Sequence, residues 1–375
     1  MTQARSGAGA AAFACRVIDW QRVHGRHDLP WQGTRDAYRI WLSEIMLQQT
    51  QVSTVLPYYR RFVARFPDVT ALAAASEDEV LALWSGLGYY ARARNLHRAA
   101  RAIVQRHGGT FPACFEDIVA LPGVGESTAG AIAVFAFGAA RPILDGNVKR
   151  VLARCFAVEG FPGEPAVARA LWALSASLLP AREIEAYTQG LMDLGAGVCT
   201  RSRPSCDRCP LSAQCRALAA GRVAALPTPR PKRVLPRRQT TLLVLWHERE
   251  VLLEKRPDAG IWGGLWSLPE VTNTDDAARV ALTAYGVELG TCLPLPPLKH
   301  GFTHYQLDIA PLLCRVTRRV QTLGMPGRAW LPLEAAVRGA IPAPVRVILA
   351  RLGSAAAEQF GEPGEPQRVD SLLQQ

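Results

Sequence analysis

Between Gly197 and Cys215 the chain reads GVCTRSRPSCDRCPLSAQC, with Cys199, Cys206, Cys209 and Cys215 in the spacing C-x6-C-x2-C-x5-C. Four thiolates drawn together repel one another unless a cation sits among them, so this stretch is expected to fold as a loop around a metal centre. Structural zinc usually pairs two short cysteine knuckles. Here only one pair is close and the outer cysteines stand further off, which suits the larger cubane of a 4Fe-4S cluster, with zinc as the alternative. A cubane that claims all four cysteines leaves no iron open to substrate, so a structural or DNA-linked redox role fits better than Lewis-acid catalysis. Arg201, Arg203 and Arg208 lie between the ligands, where a rigid cluster would hold them toward an anionic surface. The other five cysteines are scattered and the total of nine is odd, which argues against a secreted disulfide framework.

At 375 residues the chain is long enough for two domains, each with its own core. No run of eighteen apolar residues occurs, and the opening MTQARSGAGAAAFACRVIDW lacks the design of a signal peptide, so a cytoplasmic protein without a membrane span is expected. The net charge is +11, and Arg201 to Arg238 supplies +9 of it, with ten basic residues against the single acid Asp207. Such density favours a polyanionic partner, although a solvated linker has the same composition. Only four lysines occur, Lys149, Lys232, Lys255 and Lys299, so candidates for an amine nucleophile are few.

A second feature is the stretch LPGVGESTAGA at 121 to 131. It lacks the Gly-Lys-Ser/Thr ending of a nucleotide-triphosphate loop and the Gly-x-Gly-x-x-Gly of a dinucleotide loop. Phe115, Ile118 and Val119 precede it at helical spacing, and Ala129, Ile132, Ala133 and Ala136 follow it. The reading is helix, Gly-Val-Gly hairpin, helix. Gly123 and Gly125 are expected to take positive φ and to leave the amides of the second helix pointing outward, as a site for one phosphate of a polymer. A plain helix turn with a tight glycine is the competing reading.

A glycine hairpin, LDGNVKR at 144 to 150 and the cysteine loop, in that order, resemble the helix-hairpin-helix DNA glycosylases of the endonuclease III type. WLSEIMLQQTQV (41 to 52), WSGLGYYARARNL (84 to 96), LDGNVKR and IWGGLW (261 to 266) are more closely similar to the MutY-type adenine DNA glycosylases, over nearly the whole chain. The resemblance implies a monomeric enzyme that removes adenine mispaired with 8-oxoguanine or guanine in double-stranded DNA. Its setting would be a bacterial cytoplasm, associated with the nucleoid through DNA. The architecture implied is multi-domain. An all-α helix-hairpin-helix glycosylase domain with the iron-sulfur cluster spans 1–216, a basic proline-rich connector 217–238, an α+β Nudix-like domain 239–360 and a flexible tail 361–375.

Tyr38, Trp41, Leu42, Ile45 and Met46 follow a helical period, which sets Glu44, Gln48 and Gln51 on another face. Base excision breaks an N-glycosidic bond through an oxocarbenium-like sugar, so one acid protonates the departing base while another stays ionised beneath the sugar. The resemblance assigns Glu44 to the first role, at adenine N7, and Asp145 to the second, with Asn147 orienting the catalytic groups. Glu44 would need burial to keep its proton, whereas Asp145, in Asp-Gly-Asn before a helix starting near Val148, is favoured as an anion. The family also places Leu29, Trp31 and Leu47 around the base and Gln48 and Ser127 at the substrate. Leu87 and Tyr89 would enter the duplex with Gln49 beside them, and Gly123 and Gly125 would touch its backbone. In lyase-competent relatives a lysine stands where this chain has Ser127, so strand cleavage through an imine is not expected.

Past the connector, TTLLVLW (240 to 246) and VLLEKR (251 to 256) read as a strand pair, with a helix near 275 to 285 and short strands around 305 to 316. This resembles a Nudix fold. DDAARVALTAYG stands where a Nudix hydrolase needs a glutamate-rich, Mg²⁺-binding helix, and it has no glutamate, so phosphohydrolase activity is rejected. The family instead uses a loop here, Phe302-Thr303-His304, to read the base opposite adenine, with Thr303 where many relatives have serine.

Overall fold

The computed structural model describes residues 2–231, 234–320 and 326–360, and side chains within 9–352 of that range. The expected tail at 361–375 lies outside the described residues. The chain forms two compact units that do not follow it linearly. The first contains 1–74 and 95–232. The second contains 75–94 and 233–375.

The first unit is helical. Asp36 starts the helix Ala37–Leu47 by accepting from the amides of Tyr38 (3.0 Å) and Arg39 (3.2 Å). Tyr38, Trp41, Leu42, Ile45 and Met46 are all buried, as their spacing predicts. The helix stops one turn short of Gln51, which the sequence reading placed on it: Gln48 is its C-terminal cap, Gln49 turns left-handed at φ 58°, and Gln51 caps the next helix, Val52–Arg65. Gln48 and Gln51 thus leave the helix that carries Glu44.

The predicted hairpin joins the helices Phe115–Val119 and Glu126–Phe137. Its glycines differ from expectation. Gly123 has φ 79°, and a Cβ there would stand 2.7 Å from that of Asn95, so both backbone and space require glycine. Gly125 has φ −94° and nothing within 4 Å of a Cβ, so it serves as an ordinary extended cap. The helix Gly146–Cys155 lies on a core formed by Phe13, Val17, Val148, Leu152, Tyr187 and Leu191. A long first helix, Thr2–His24, supplies one wall of that core and had no counterpart in the sequence reading.

The second unit is built on strands β1 (Arg237–His247), β2 (Glu250–Lys255), β3 (Trp266–Ser267), β4 (Glu270–Val271), β5 (Val287–Pro294), β6 (Leu298–Gly301), β7 (Gln306–Arg319) and β8 (Arg328–Pro332). The main order is β3-β2-β1-β7-β5, with β4 on β1, β6 on β7 and β8 on β2. β1 and β2 form the predicted antiparallel pair, whereas β1 and β7 run parallel from Arg237 opposite Gln306 to Trp246 opposite Arg315. That parallel pairing explains why Thr240 to Trp246 reads as a nearly unbroken apolar run, since this central strand is buried on both faces. The helix Ala277–Tyr285 lies in the crossover, close to its expected place. The short strands expected around 305 to 316 are one fourteen-residue strand, β7. Cys292 on β5 and Cys314 on β7 stand opposite one another and are joined as a disulfide, a pairing their separation in sequence does not reveal.

Candidate active site and its supporting loops

One cleft of about 1450 Å³ opens in the helical unit. It brings together ten of the residues singled out in the sequence: Leu29, Trp31, Glu44, Leu47, Gln48, Gln49, Gly125, Ser127, Asp145 and Asn147. They come from distant segments, and each is placed by a local device. Gln32 accepts from the amide of Leu29 (3.1 Å) and donates to the carbonyl of Arg26 (3.0 Å), which fixes the loop that carries Leu29. Trp31 packs edge-on against Tyr59, with centroids 5.1 Å apart. The Gln48 amide bridges the hairpin, reaching the carbonyl of Gly123 at 3.4 Å and the hydroxyl of Thr128 at 3.3 Å.

Asp145 is the cap of the helix Gly146–Cys155. One carboxylate oxygen accepts from the amide of Val148 (2.8 Å) and the other from the side-chain amide of Asn147 (3.2 Å). Ser127, on the hairpin helix, accepts from the amide of Leu144 at 2.9 Å and so holds the residue that leads into Asp145. Arg150 donates to Asn147 (2.8 Å) and to the carbonyls of Gly195 (2.6 Å) and Cys199 (2.7 Å), which ties the same helix to the start of the cysteine loop.

The two carboxyl groups differ in their electrostatics. Burial, and then the charge of Asp145, push Glu44 up from 4.5 to about 8. Glu44 therefore carries its proton at neutral pH. Asp145 is also raised by burial, contrary to the sequence expectation that its helix start alone would favour the anion, while the hydrogen bonds from Val148 and Asn147 and the charge of Arg150 pull the other way. The Asp145 charge is the second cause of the Glu44 shift, so an ionised Asp145 strengthens the hold of Glu44 on its proton. The cleft is thus lined by a proton donor, Glu44, and a second acid, Asp145.

Sequence reasoning missed Gln32, Gln189 and Met192 in the lining. Gln189 donates to Asp193 (2.8 Å), a buried acid also held by the amide and guanidinium of Arg26 (2.9 and 2.7 Å). The available signal was an amide and an acid at i and i+4 in the otherwise apolar stretch QGLMDLGAGV.

Gln51 and Arg201 line the cleft as well, whereas the remaining predicted residues do not. Gly123 is exposed on the hairpin. Leu87, Tyr89, Thr303 and His304 belong to the second unit. Tyr89 is half exposed, whereas Leu87 is buried. Thr303 and His304 are exposed at a tight turn between β6 and β7, closed by the amide of Phe302 donating to the carbonyl of Tyr305 (2.8 Å). Phe302 packs among the rings of Trp262, His300 and Tyr305.

Cys199, Cys206, Cys209 and Cys215 all border one small cavity, together with Arg154. Arg154 Nη1 approaches Cys199 Sγ at 3.3 Å and donates to the carbonyl of Thr200 at 2.7 Å. Burial and the neighbouring thiols push Cys209 up to about 11, so the group resists ionising without a cation. In donor type and convergence the four residues fit a metal centre, although among the described residues no three potential ligands are drawn into a closed metal site.

Residues 42–176 match the model of the HhH-GPD superfamily of base excision DNA repair proteins, and 240–351 match a NUDIX domain. An adenine DNA glycosylase of Buchnera aphidicola is 37% identical over 304 residues, covering 81% of this chain and 87% of that one. The human adenine DNA glycosylase is 35% identical over 395 residues, covering 88% and 72%. A thermostable thymine-DNA glycosylase of known structure superimposes with a TM-score of 0.51 at 27% identity, over 59% of this chain and all of that one. With a two-carboxyl cleft in a helix-hairpin-helix unit and relatives of one activity along most of its length, the chain belongs to the adenine DNA glycosylase family of base excision repair.

Proposed function

We propose that this glycosylase is monofunctional and acts on adenine opposite 8-oxoguanine or guanine in duplex DNA, working as a monomer in the cytoplasm. The observation that carries the reading is the pairing of Glu44, held protonated at neutral pH, with the helix-capping Asp145 in one cleft. With adenine extruded between Leu29, Trp31 and Leu47, Glu44 delivers its proton to N7. The bond from C1′ to N9 breaks with its electrons leaving on the base. Asp145, oriented by Asn147, stabilises the sugar cation until water adds at C1′ and gives up a proton, which restores the Glu44 carboxyl. Extrusion costs about a few kcal/mol and leaves a gap in the stack, which the exposed Tyr89 fills with Gln49, while Leu87, buried in the free protein, has to leave its packing to join them. The hairpin at Gly123 and Gly125 grips a backbone phosphate, and Thr303 and His304 read the opposite base.

The lining supports water as the nucleophile, because no lysine is among the cleft residues and position 127 carries a hydroxyl. Cys199, Cys206, Cys209 and Cys215 would hold one 4Fe-4S cluster, which supplies a rigid cross-link for the loop that presents Arg201, Arg203 and Arg208. Purified protein is then straw-brown with about four irons per chain; colourless, active, zinc-containing protein would overturn the assignment. Duplexes carrying adenine opposite 8-oxoguanine, guanine, cytosine or thymine, scored for free base and for strand breaks before and after alkali, test the activity. Release confined to the first two, with breaks only after alkali, is the expected result. Nicking that keeps pace with base release replaces this reading with a glycosylase/lyase.

A further inference from the structure

Tyr89 combines two features that rarely coincide: the residue is 50% exposed, and its backbone is left-handed at φ 50°. A bulky residue held at positive φ persists only where its surroundings over-determine it. The flanking glycines are left-handed as well, Gly86 at 98° and Gly88 at 77°, so the loop has little stiffness of its own.

One side chain makes several of the contacts that surround the loop. Arg92, only 8% exposed, directs Nη2 at the carbonyls of Gly88 (3.1 Å) and Leu87 (3.4 Å). Its guanidinium lies over two rings, 5.3 Å from the centroid of Trp84 and 5.5 Å from that of Tyr89. Trp84 adds its indole N–H to the same Gly88 carbonyl at 3.1 Å. The amide of Arg92 donates to the carbonyl of Tyr89 at 2.9 Å, closing the turn behind the exposed ring. Burial lowers Arg92 to about 10, so the group is still a cation at neutral pH.

We propose that Arg92 is the positioning residue of the wedge, holding Tyr89 in its left-handed, outward conformation by gripping the Leu87 and Gly88 carbonyls and stacking on both rings. The planar fork is essential, since an ammonium is a point charge that cannot reach two carbonyls while lying flat on two rings. The inference rests on the reading of Tyr89 as the wedge, and its test separates the two.

The test uses full-length protein and duplexes with 2-aminopurine next to the adenine:8-oxoguanine pair, whose fluorescence rises when the stack is opened. Insertion is read in the non-excising Glu44→Gln background and single-turnover excision in the active protein. Arg92→Lys should lose most of the fluorescence rise and slow excision by about tenfold to a hundredfold. Its fall in excision above pH 8 should stay where it is in the parent, because the cleft is untouched. Tyr89→Ala should lose the same rise, and the double variant should be no worse than either single one. Arg92→Gln, which keeps a donor for one carbonyl, should lie between and serves if the lysine variant does not fold. Insertion that survives both Arg92 substitutions in folded protein overturns the proposal, as does a double variant well below both singles. A rise unchanged in Tyr89→Ala overturns the wedge reading itself, and this inference with it.

Discussion

The helical unit and the sheet-containing unit place most of the side chains proposed to act in chemistry and in recognition in different environments. In the first, Glu44 and Asp145 are recessed in a cleft where burial shifts both acids. In the second, Tyr89, Thr303 and His304 stand exposed on turns, with buried residues only behind them. Desolvation is what keeps a carboxyl protonated at neutral pH, so chemistry requires the recess. Recognition of an opened base pair needs groups that meet the duplex before anything is buried, and the residues proposed to read it stand on turns. Substitutions in the cleft should therefore act on rate and pH dependence, and those on the turns on preference among duplexes.

The largest effects should come from the two acids. Glu44→Gln keeps the shape of the side chain but has no proton to deliver. Adenine release should fall by about three orders of magnitude or more, with mismatch binding largely intact. Asp145→Asn should lose about two to three orders, because a neutral amide cannot stabilise the sugar cation. Single-turnover excision measures both, and substantial release by either variant removes that residue from its role.

The pH dependence follows from the same burial. Excision needs neutral Glu44, so kcat/KM should decline as pH rises through about 8, and this limb belongs to the free enzyme. Stability carries the same signature with a defined sign. Folding raises Glu44 above its ordinary 4.5, so the folded state holds a proton that the unfolded chain releases. Stability is undiminished below 4.5, falls as pH rises from there to about 8, and is lowered by a constant amount above it. Glu44→Gln removes that loss. Its melting temperature should match the parent near pH 4.5 and exceed it at pH 9, by an amount equivalent to on the order of a few kcal/mol. A gain independent of pH would show that Glu44 is not a buried acid.

Ser127 offers a smaller change with a qualitative readout. Ser127→Lys places an amine in the cleft and should give strand breaks without alkali, through an imine with the opened sugar. The substitution also removes the acceptor for the Leu144 amide, beside Asp145, so base release should slow severalfold at the same time. Borohydride trapping and free-base counting read the two effects separately. The parent protein, with Lys149 outside the cleft lining, should give at most a weak adduct, lost in Lys149→Ala without a change in base release.

What was legible in the sequence divides along physical lines. The helix bearing Glu44, the cap at Asp145 and the first strand pair were readable because each is written in local periodicity or capping chemistry. The end of the Glu44 helix at Leu47 was not, because the polar run Gln48 to Gln51 contains no glycine or proline to mark a stop, while the backbone turns left-handed at Gln49. Gln189 was hidden because its partner Asp193 is held by Arg26, 167 residues away in sequence. The grouping of 75–94 with the C-terminal half was equally hidden. It rests on contacts such as Tyr90 and Ser85 to the carbonyl of Ile341 and Trp266 to Asp78, which no local pattern announces.

The smallest expected effect tests the other side of the comparison, at Thr303. Its hydroxyl meets His304 Nδ1 at 3.4 Å on an exposed turn braced by Phe302, a long contact that it can exchange for one with the opposite base. Thr303→Ser keeps that hydroxyl and removes only a methyl, and the ratio of excision opposite 8-oxoguanine to that opposite guanine should move by about twofold or less. Thr303→Val keeps the branched shape and removes the hydroxyl. One hydrogen bond contributes about 0.5–1.5 kcal/mol net, so the ratio should fall by about two- to tenfold, with excision opposite guanine and the decline above pH 8 both unchanged. His304→Ala should fall in the same range. A change in the guanine rate or in the pH limb would mean that the turn acts on the chemistry, and an unchanged ratio in all three would mean that Thr303 and His304 do not read the lesion.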